Sequence, residues 1–180
     1  MIAPRKTLHS TPLPVIQQAL ELAQVDENDI LCDVGCGDGR VLLYAASQLQ
    51  VKKCIGIEID EARVQHIQDK AASMGLPNGQ IQVHCGNALE IEIDPEVTVI
   101  FLFLIERGLR QIFQKLNAQR RQDKELRIVT YLYKTSTMDP YLVSTQMCKV
   151  DVTTETAKSE AAFPIYLYKL PPNPSEEIRG

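Results

Sequence analysis

The sequence predicts an α/β domain: a mostly parallel, twisted sheet with helices on both faces and an antiparallel hairpin at its carboxyl end. Three observations carry that expectation. Apolar strand-like runs alternate with helical patterns of roughly ten to fifteen residues, the signature of strand-helix-strand crossovers. Gly35, Gly37 and Gly39 stand at alternate positions where the first strand should end and a helix begin. The run Val97–Ile105 (VTVIFLFLI) is apolar throughout, as a parallel strand buried on both faces should be.

The elements follow in order. Pro12 to Val25 places Val15, Ile16, Ala19, Leu20, Leu22 and Ala23 on one broad helical face, with Ser10 or Thr11 as candidate caps. Ile30–Val34 is the first strand, and Gly39 to Leu49 the helix after it. Cys54–Ile59 is a buried strand, and the helix that follows is capped by Asp60 and closed by Gly75. Ile81–Cys85, Val97–Ile105 and Leu126–Tyr133 are the third to fifth strands, with a helix over Glu106–Gln119 between the last two. The alternation then stops. Met147–Thr156 and Pro164–Leu170 read as a late, edge-like hairpin, which brings the sheet to seven strands. No linker or repeat divides the chain, so 1–180 is one domain, with 1–11 and 171–180 as flexible ends.

Composition narrows the function. A length of 180 residues, 44% hydrophobic, suffices for a real core. A net charge of -4 is a poor starting point for stable nucleic-acid binding, which draws on clustered Lys and Arg. The densest basic stretch, Lys115 to Arg127, is broken by Asp123 and Glu125 and reads as a solvated helix end and loop. No apolar run approaches the roughly 18 residues that span a bilayer. Five cysteines without CxxC spacing suggest a reducing compartment and no metal site. The expected location is cytoplasmic. Arg5 and Lys6, with no acid before Glu21, keep a mitochondrial leader as the alternative.

The glycines point to a ligand. A strand-loop-helix rich in glycine lets backbone N–H groups and a helix N-terminus meet a ligand at contact distance. Glu58, at the end of the next strand, is placed to accept two ribose hydroxyls. The dinucleotide fingerprint G-x-G-x-x-G fails, because Arg40 occupies its sixth position. Asp33 and Asp38 would repel a pyrophosphate but favour the sulfonium and amino group of S-adenosylmethionine.

The residues here carry a family resemblance. DVGCGDGR (Asp33 to Arg40) resembles the first motif of class I S-adenosylmethionine-dependent methyltransferases, and GIEID (Gly56 to Asp60) their ribose-binding strand end. GNALE (Gly86 to Glu90) sits where they keep an adenine-contacting Asp or Asn. With STPLPVIQQALELA and TVIFLFLIERGL, the chain resembles the protein-lysine methyltransferases of the ATP synthase c subunit and adenine nucleotide translocase group. It departs from them at Ile105, where that group carries Pro, and at Asn87, commonly Asp.

The resemblance implies a Rossmann-like fold and S-adenosyl-L-methionine as cofactor. The expected donor-site residues are Thr11, Asp33, Gly35, Cys36, Gly37, Gly39, Glu58, Asn87 and Ala88, and the substrate is a protein bearing a target lysine. Glu106 is the candidate for orienting the substrate amine; a helix-dipole role serves it equally. His84 and Cys85 read as a packed strand end, His66 as exposed, and His9 as part of the segment before the first helix. Tyr131 and Tyr133 alternate on the fifth strand; sheet packing explains both, and one of them facing the site is the alternative. The fourth strand lacks the Pro-Pro-aromatic turn that clamps planar bases, and its apolar end suits an aliphatic chain. The other readings are a small-molecule or RNA methyltransferase, a catalytically silent donor-binding scaffold, and a nicotinamide-dependent dehydrogenase.

Overall fold

The computed structural model describes residues 10–120, 123–153 and 158–173. The basic N-terminal segment with His9, and the last residues of the tail, lie outside these ranges. The chain runs α1 (Leu13–Leu22), β1 (Ile30–Val34), α2 (Arg40–Gln48), β2 (Lys53–Glu58), α3 (Glu61–Ser73) and β3 (Ile81–Cys85). It continues through β4 (Val99–Leu102), α4 (Glu106–Ala118), β5 (Leu126–Tyr131), a 3-10 turn at Ser136–Tyr141, β6 (Leu142–Thr153) and β7 (Lys158–Leu170).

The seven strands form one sheet in the order β3-β2-β1-β4-β5-β7-β6. β1 to β5 are parallel, while β7 runs antiparallel between β5 and β6. Strand order reverses between β1 and β4, and the crevice beyond their carboxyl ends is the natural ligand position in such a sheet. The glycine loop leaves β1 there.

Alternation along β1 divides the core. Leu31 belongs to a cluster with α1, α2 and Ile67 of α3; Cys32 and Val34 belong to the opposite one, built on Leu109, Ile112, Phe113 and Leu116 of α4. Each fully buried aliphatic side chain contributes about 1.5–3 kcal/mol of transfer free energy, so either face suffices to hold its helices on the sheet.

Four details differ from the sequence reading. α1 has Pro12 at its cap, and neither Ser10 nor Thr11 caps it. β4 ends at Leu102, and Phe103 and Leu104 beyond it pack against the two opposite core clusters. The hairpin is longer than its apolar cores, and β7 lies inside the sheet, with Ile165 and Tyr168 fully buried. β3 is an edge strand, which leaves His84 and Cys85 exposed rather than packed. Asp60 does cap α3, accepting from the N–H groups of Ala62 at 2.9 Å and Arg63 at 3.3 Å, and Gly75 ends it with φ +68°.

Candidate functional site

The glycine loop is folded by β2. The N–H groups of Gly35 and Cys36 both donate to the Ile57 carbonyl, at 2.8 and 3.1 Å, which turns the chain sharply as it leaves β1. Gly35 has φ +76°, a left-handed conformation costly for a residue with a Cβ. A Cβ built there would come no closer than 3.6 Å to Leu104, so backbone conformation and room for a ligand, rather than protein crowding, call for glycine. Gly39 shares that φ of +76°, and packing adds a second reason. A Cβ would lie 2.6 Å from the Ile67 side chain, so this glycine lets α3 pack against the start of α2.

Glu58 is the keystone of the loop. It is 5% exposed; its Oε2 accepts from the Gly37 N–H at 2.8 Å and its Oε1 from the Asp60 N–H at 3.0 Å. Arg63 stands 3.8 Å from Oε1. A carboxylate has about four acceptor positions, so each oxygen keeps one for a ligand diol. Asp33 lies beneath the loop, 3% exposed. Burial, with the charges of Glu58 and Asp38 nearby, pushes its carboxyl up to about 8, which favours the neutral acid. Cys36 is buried beside it, its thiol raised by burial and then by Asp33, which suits a packing role.

Arg40 ties the segment before α1 to the loop. Its guanidinium bonds the Asp38 carboxylate at 2.6, 3.0 and 3.1 Å and the Thr11 carbonyl at 3.2 Å, while Ser10 Oγ donates to Asp38 at 3.2 Å. Partial burial works against the Asp38 charge, but the Arg40 bonds outweigh it and hold the carboxyl below its usual range. Thr11 is thereby buried at the crevice rim.

After β3, Asn87 spends its side chain locally. Its Oδ1 accepts from the Leu89 N–H and its Nδ2 donates to Glu90, both at 3.0 Å. These bonds leave the amide a second N–H and a second lone pair, which with the Ala88 side chain remain to face a ligand. Lys115, which the sequence places in a solvated stretch, fixes this loop from α4: its Nζ donates to the carbonyls of Ala88 at 3.0 Å, Leu89 at 3.4 Å and Ile91. Two other cations of that stretch also have partners. Arg120 bonds and stacks on Tyr141, and Arg127 holds Asp29 and the end of α1. Their partners lie 21 to 104 residues away in sequence, so local pattern cannot reveal them.

Opposite the loop stand the ends of β4 and β5. Glu106 opens α4 and is exposed, and Leu104 packs toward Gly35. Phe103 meets Tyr131 at 4.8 Å between ring centroids. The structure thus brings Asp33, Gly35, Cys36, Gly37, Glu58 and Thr11 to one crevice. Ala88 lies on the next strand end and Glu106 across the switch point. Gly56, which sequence reasoning passed over, completes it: a Cβ there would lie 2.8 Å from the Cys36 Sγ and 2.7 Å from Leu42. Among the described residues, no group of three or more His, Cys, Asp or Glu side chains is placed to hold a metal ion.

Comparison with known proteins gives four findings. Residues 33–142, from the end of β1 to the start of β6, match the ANTKMT methyltransferase domain. A protein-lysine N-methyltransferase of Saccharolobus islandicus is 35% identical over 109 residues, 61% of this chain and 66% of that protein. An uncharacterized RNA methyltransferase of Oceanobacillus iheyensis is 28% identical over 107 residues, 55% of this chain but 23% of its own length. Among solved structures, an RNA methyltransferase from Salinibacter ruber in complex with S-adenosyl-L-homocysteine superposes with a TM-score of 0.73 and 27% identity, over 96% of this chain and 100% of that one.

Proposed function

The chain belongs to the ANTKMT methyltransferase domain family, and from that premise we propose that it transfers the methyl group of S-adenosylmethionine to a lysine side chain of a protein. The observation that carries the donor assignment is the Glu58–Gly37 bond at 2.8 Å, which joins the ribose-type acid to the glycine loop over a buried Asp33. When bound, the donor supplies an electrophilic methyl on a sulfonium, displaced in line by a nucleophile.

This chain's residues would hold and orient the two reactants. Glu58 would take the ribose hydroxyls with its two remaining acceptor positions. The turn at Gly35 and Gly37 would lie against the methionine portion, with Asp33 facing its positive charge. Thr11, drawn in by Arg40, would close the far rim, and the 87–89 backbone with Ala88 would border the adenine. Leu104 and Phe103 would keep water from the approach. Glu106 would accept a hydrogen bond from the incoming amine and aim it.

A lysine is favoured over a base by the apolar end of β4 and by the relative from Saccharolobus islandicus. Two cations beside the glycine loop, Arg40 and Arg63, already face Asp38, Glu58 and Asp60, and paired cations are less available to a phosphate backbone. The RNA methyltransferase of Salinibacter ruber keeps RNA as the second reading, since the likeness spans that whole chain.

The test is transfer of labelled methyl into an extract lacking the endogenous enzyme, sorted into protein, RNA and small molecules, with hydrolysis of the protein fraction. Label in ε-N-methyllysine supports the reading, with a large fall in kcat for Glu106→Gln at unchanged donor affinity. Label in RNA overturns the substrate, and no label despite donor binding favours a scaffold.

A further inference from the structure

The chain leaves β5 in a way the sheet does not require. Leu132 has φ +70°, and the Tyr133 N–H bonds back to the Tyr131 carbonyl at 2.8 Å. Together these define a γ-turn of the positive-φ hand, a rare and strained conformation for a residue with a side chain. The surroundings over-determine it. The Leu132 N–H donates to the Pro164 carbonyl at 2.9 Å, and Thr130 Oγ1, fully buried, donates to the Tyr133 carbonyl at 3.0 Å.

The strain has one visible product. Tyr133 leaves the strand and lies near-parallel to Phe103, at 17° and 6.4 Å between centroids, 38% exposed. Phe103 packs inward on Tyr131, and Tyr131 meets Phe163 edge-on at 6.2 Å. A row of rings thus runs from core to solvent and ends at the carboxyl edges of β4 and β5. Leu104, next to Phe103, packs toward the glycine loop, and Glu106 opens α4 two residues further on.

The geometry points to Tyr133, with Phe103, as the surface that receives the alkylammonium side chain of the substrate and sets specificity for it. This rests on the lysine reading above and extends it to the residues that choose the substrate. An aliphatic stem packs on aromatic faces, and a cationic head over such a face is stabilised electrostatically, most of all where water is excluded. A carboxylate such as Glu106 at the same strand end completes a receptor for a long-stemmed cation. The strained turn fixes the outer ring, so its ordering cost falls on folding rather than on each binding event.

The experiment compares wild type with Tyr133→Phe, Tyr133→Leu and Tyr133→Ala. It measures methyl transfer to a mixture of lysine-centred peptides and calorimetric binding of S-adenosylhomocysteine. Tyr133→Phe is expected to keep the peptide KM. Tyr133→Leu, which keeps apolar cover but loses the π face, is expected to raise it about tenfold, and Tyr133→Ala at least as much, with kcat and S-adenosylhomocysteine affinity unchanged. A Tyr133→Leu KM equal to that of wild type overturns the inference while leaving the lysine reading in place. Wild-type protein that methylates RNA but no lysine peptide overturns both.

Discussion

The Gly37 N–H donates to the Glu58 carboxylate across 21 residues of sequence, at 2.8 Å and out of contact with solvent. The bond couples the two halves of the donor site before any ligand arrives. The acid that would take the ribose also holds the loop that would take the methionine portion. The site is therefore preorganised, and damage at either end should be felt at the other.

Asp33 makes stability depend on pH. Its folded-state pKa, about 8, lies above the ordinary 3.8. The neutral acid's stability is thus fully present below about pH 4 and lost as pH rises through 8. Asp33→Asn mimics the protonated acid and should be more stable than wild type by a margin that widens between pH 4 and 8. Urea unfolding at pH 5, 6.5 and 8 measures the margin, and one that stays constant contradicts the assignment.

Gly39 is fixed by packing as well as by backbone. Gly39→Ala adds a Cβ 2.6 Å from Ile67 at φ +76° and should cost about 2–4 kcal/mol. In Gly39→Ala/Ile67→Ala the crowding is gone and the backbone strain remains, so the double variant should lose less than the sum of the single losses. Thermal melts of the four proteins decide it, and strict additivity would count against the contact.

Lys115 should govern the loop after β3. Lys115→Met keeps much of the stem and removes the donors to Ala88, Leu89 and Ile91. The cost should be ~1–3 kcal/mol for carbonyls left without that partner. Amide exchange over residues 88–91 should accelerate and S-adenosylhomocysteine affinity should fall, whereas unchanged exchange there would show that the lysine does not hold the loop.

Much of this was legible in the sequence because the informative features are local. The parallel order follows from strand-helix alternation, and the loop and Glu58 are marked by residue types that have few other uses at those positions. What was hidden depends on distant partners. Lys115, Arg120 and Arg127 look solvated until the carbonyls and Tyr141 they reach are brought beside them by the sheet. Asn87 has the residue type for an adenine contact, and only the fold shows that Glu90 and the Leu89 N–H also use its amide. Phe103 continues an apolar run, so pattern keeps it in β4, while the fold ends the strand at Leu102 and sets the ring between Tyr131 and Tyr133. Gly56 resembles any strand glycine until Cys36 is laid on it.

The central claim is that the loop and Glu58 together hold a methyl donor, and calorimetric titration with S-adenosylhomocysteine tests it most directly. Wild type should bind one equivalent and show no heat with NAD. Glu58→Ala, still folded, should bind about 10–100-fold more weakly, as expected for losing charged hydrogen bonds to the ligand. Wild-type affinity in Glu58→Ala, or tight binding of NAD, would contradict the account.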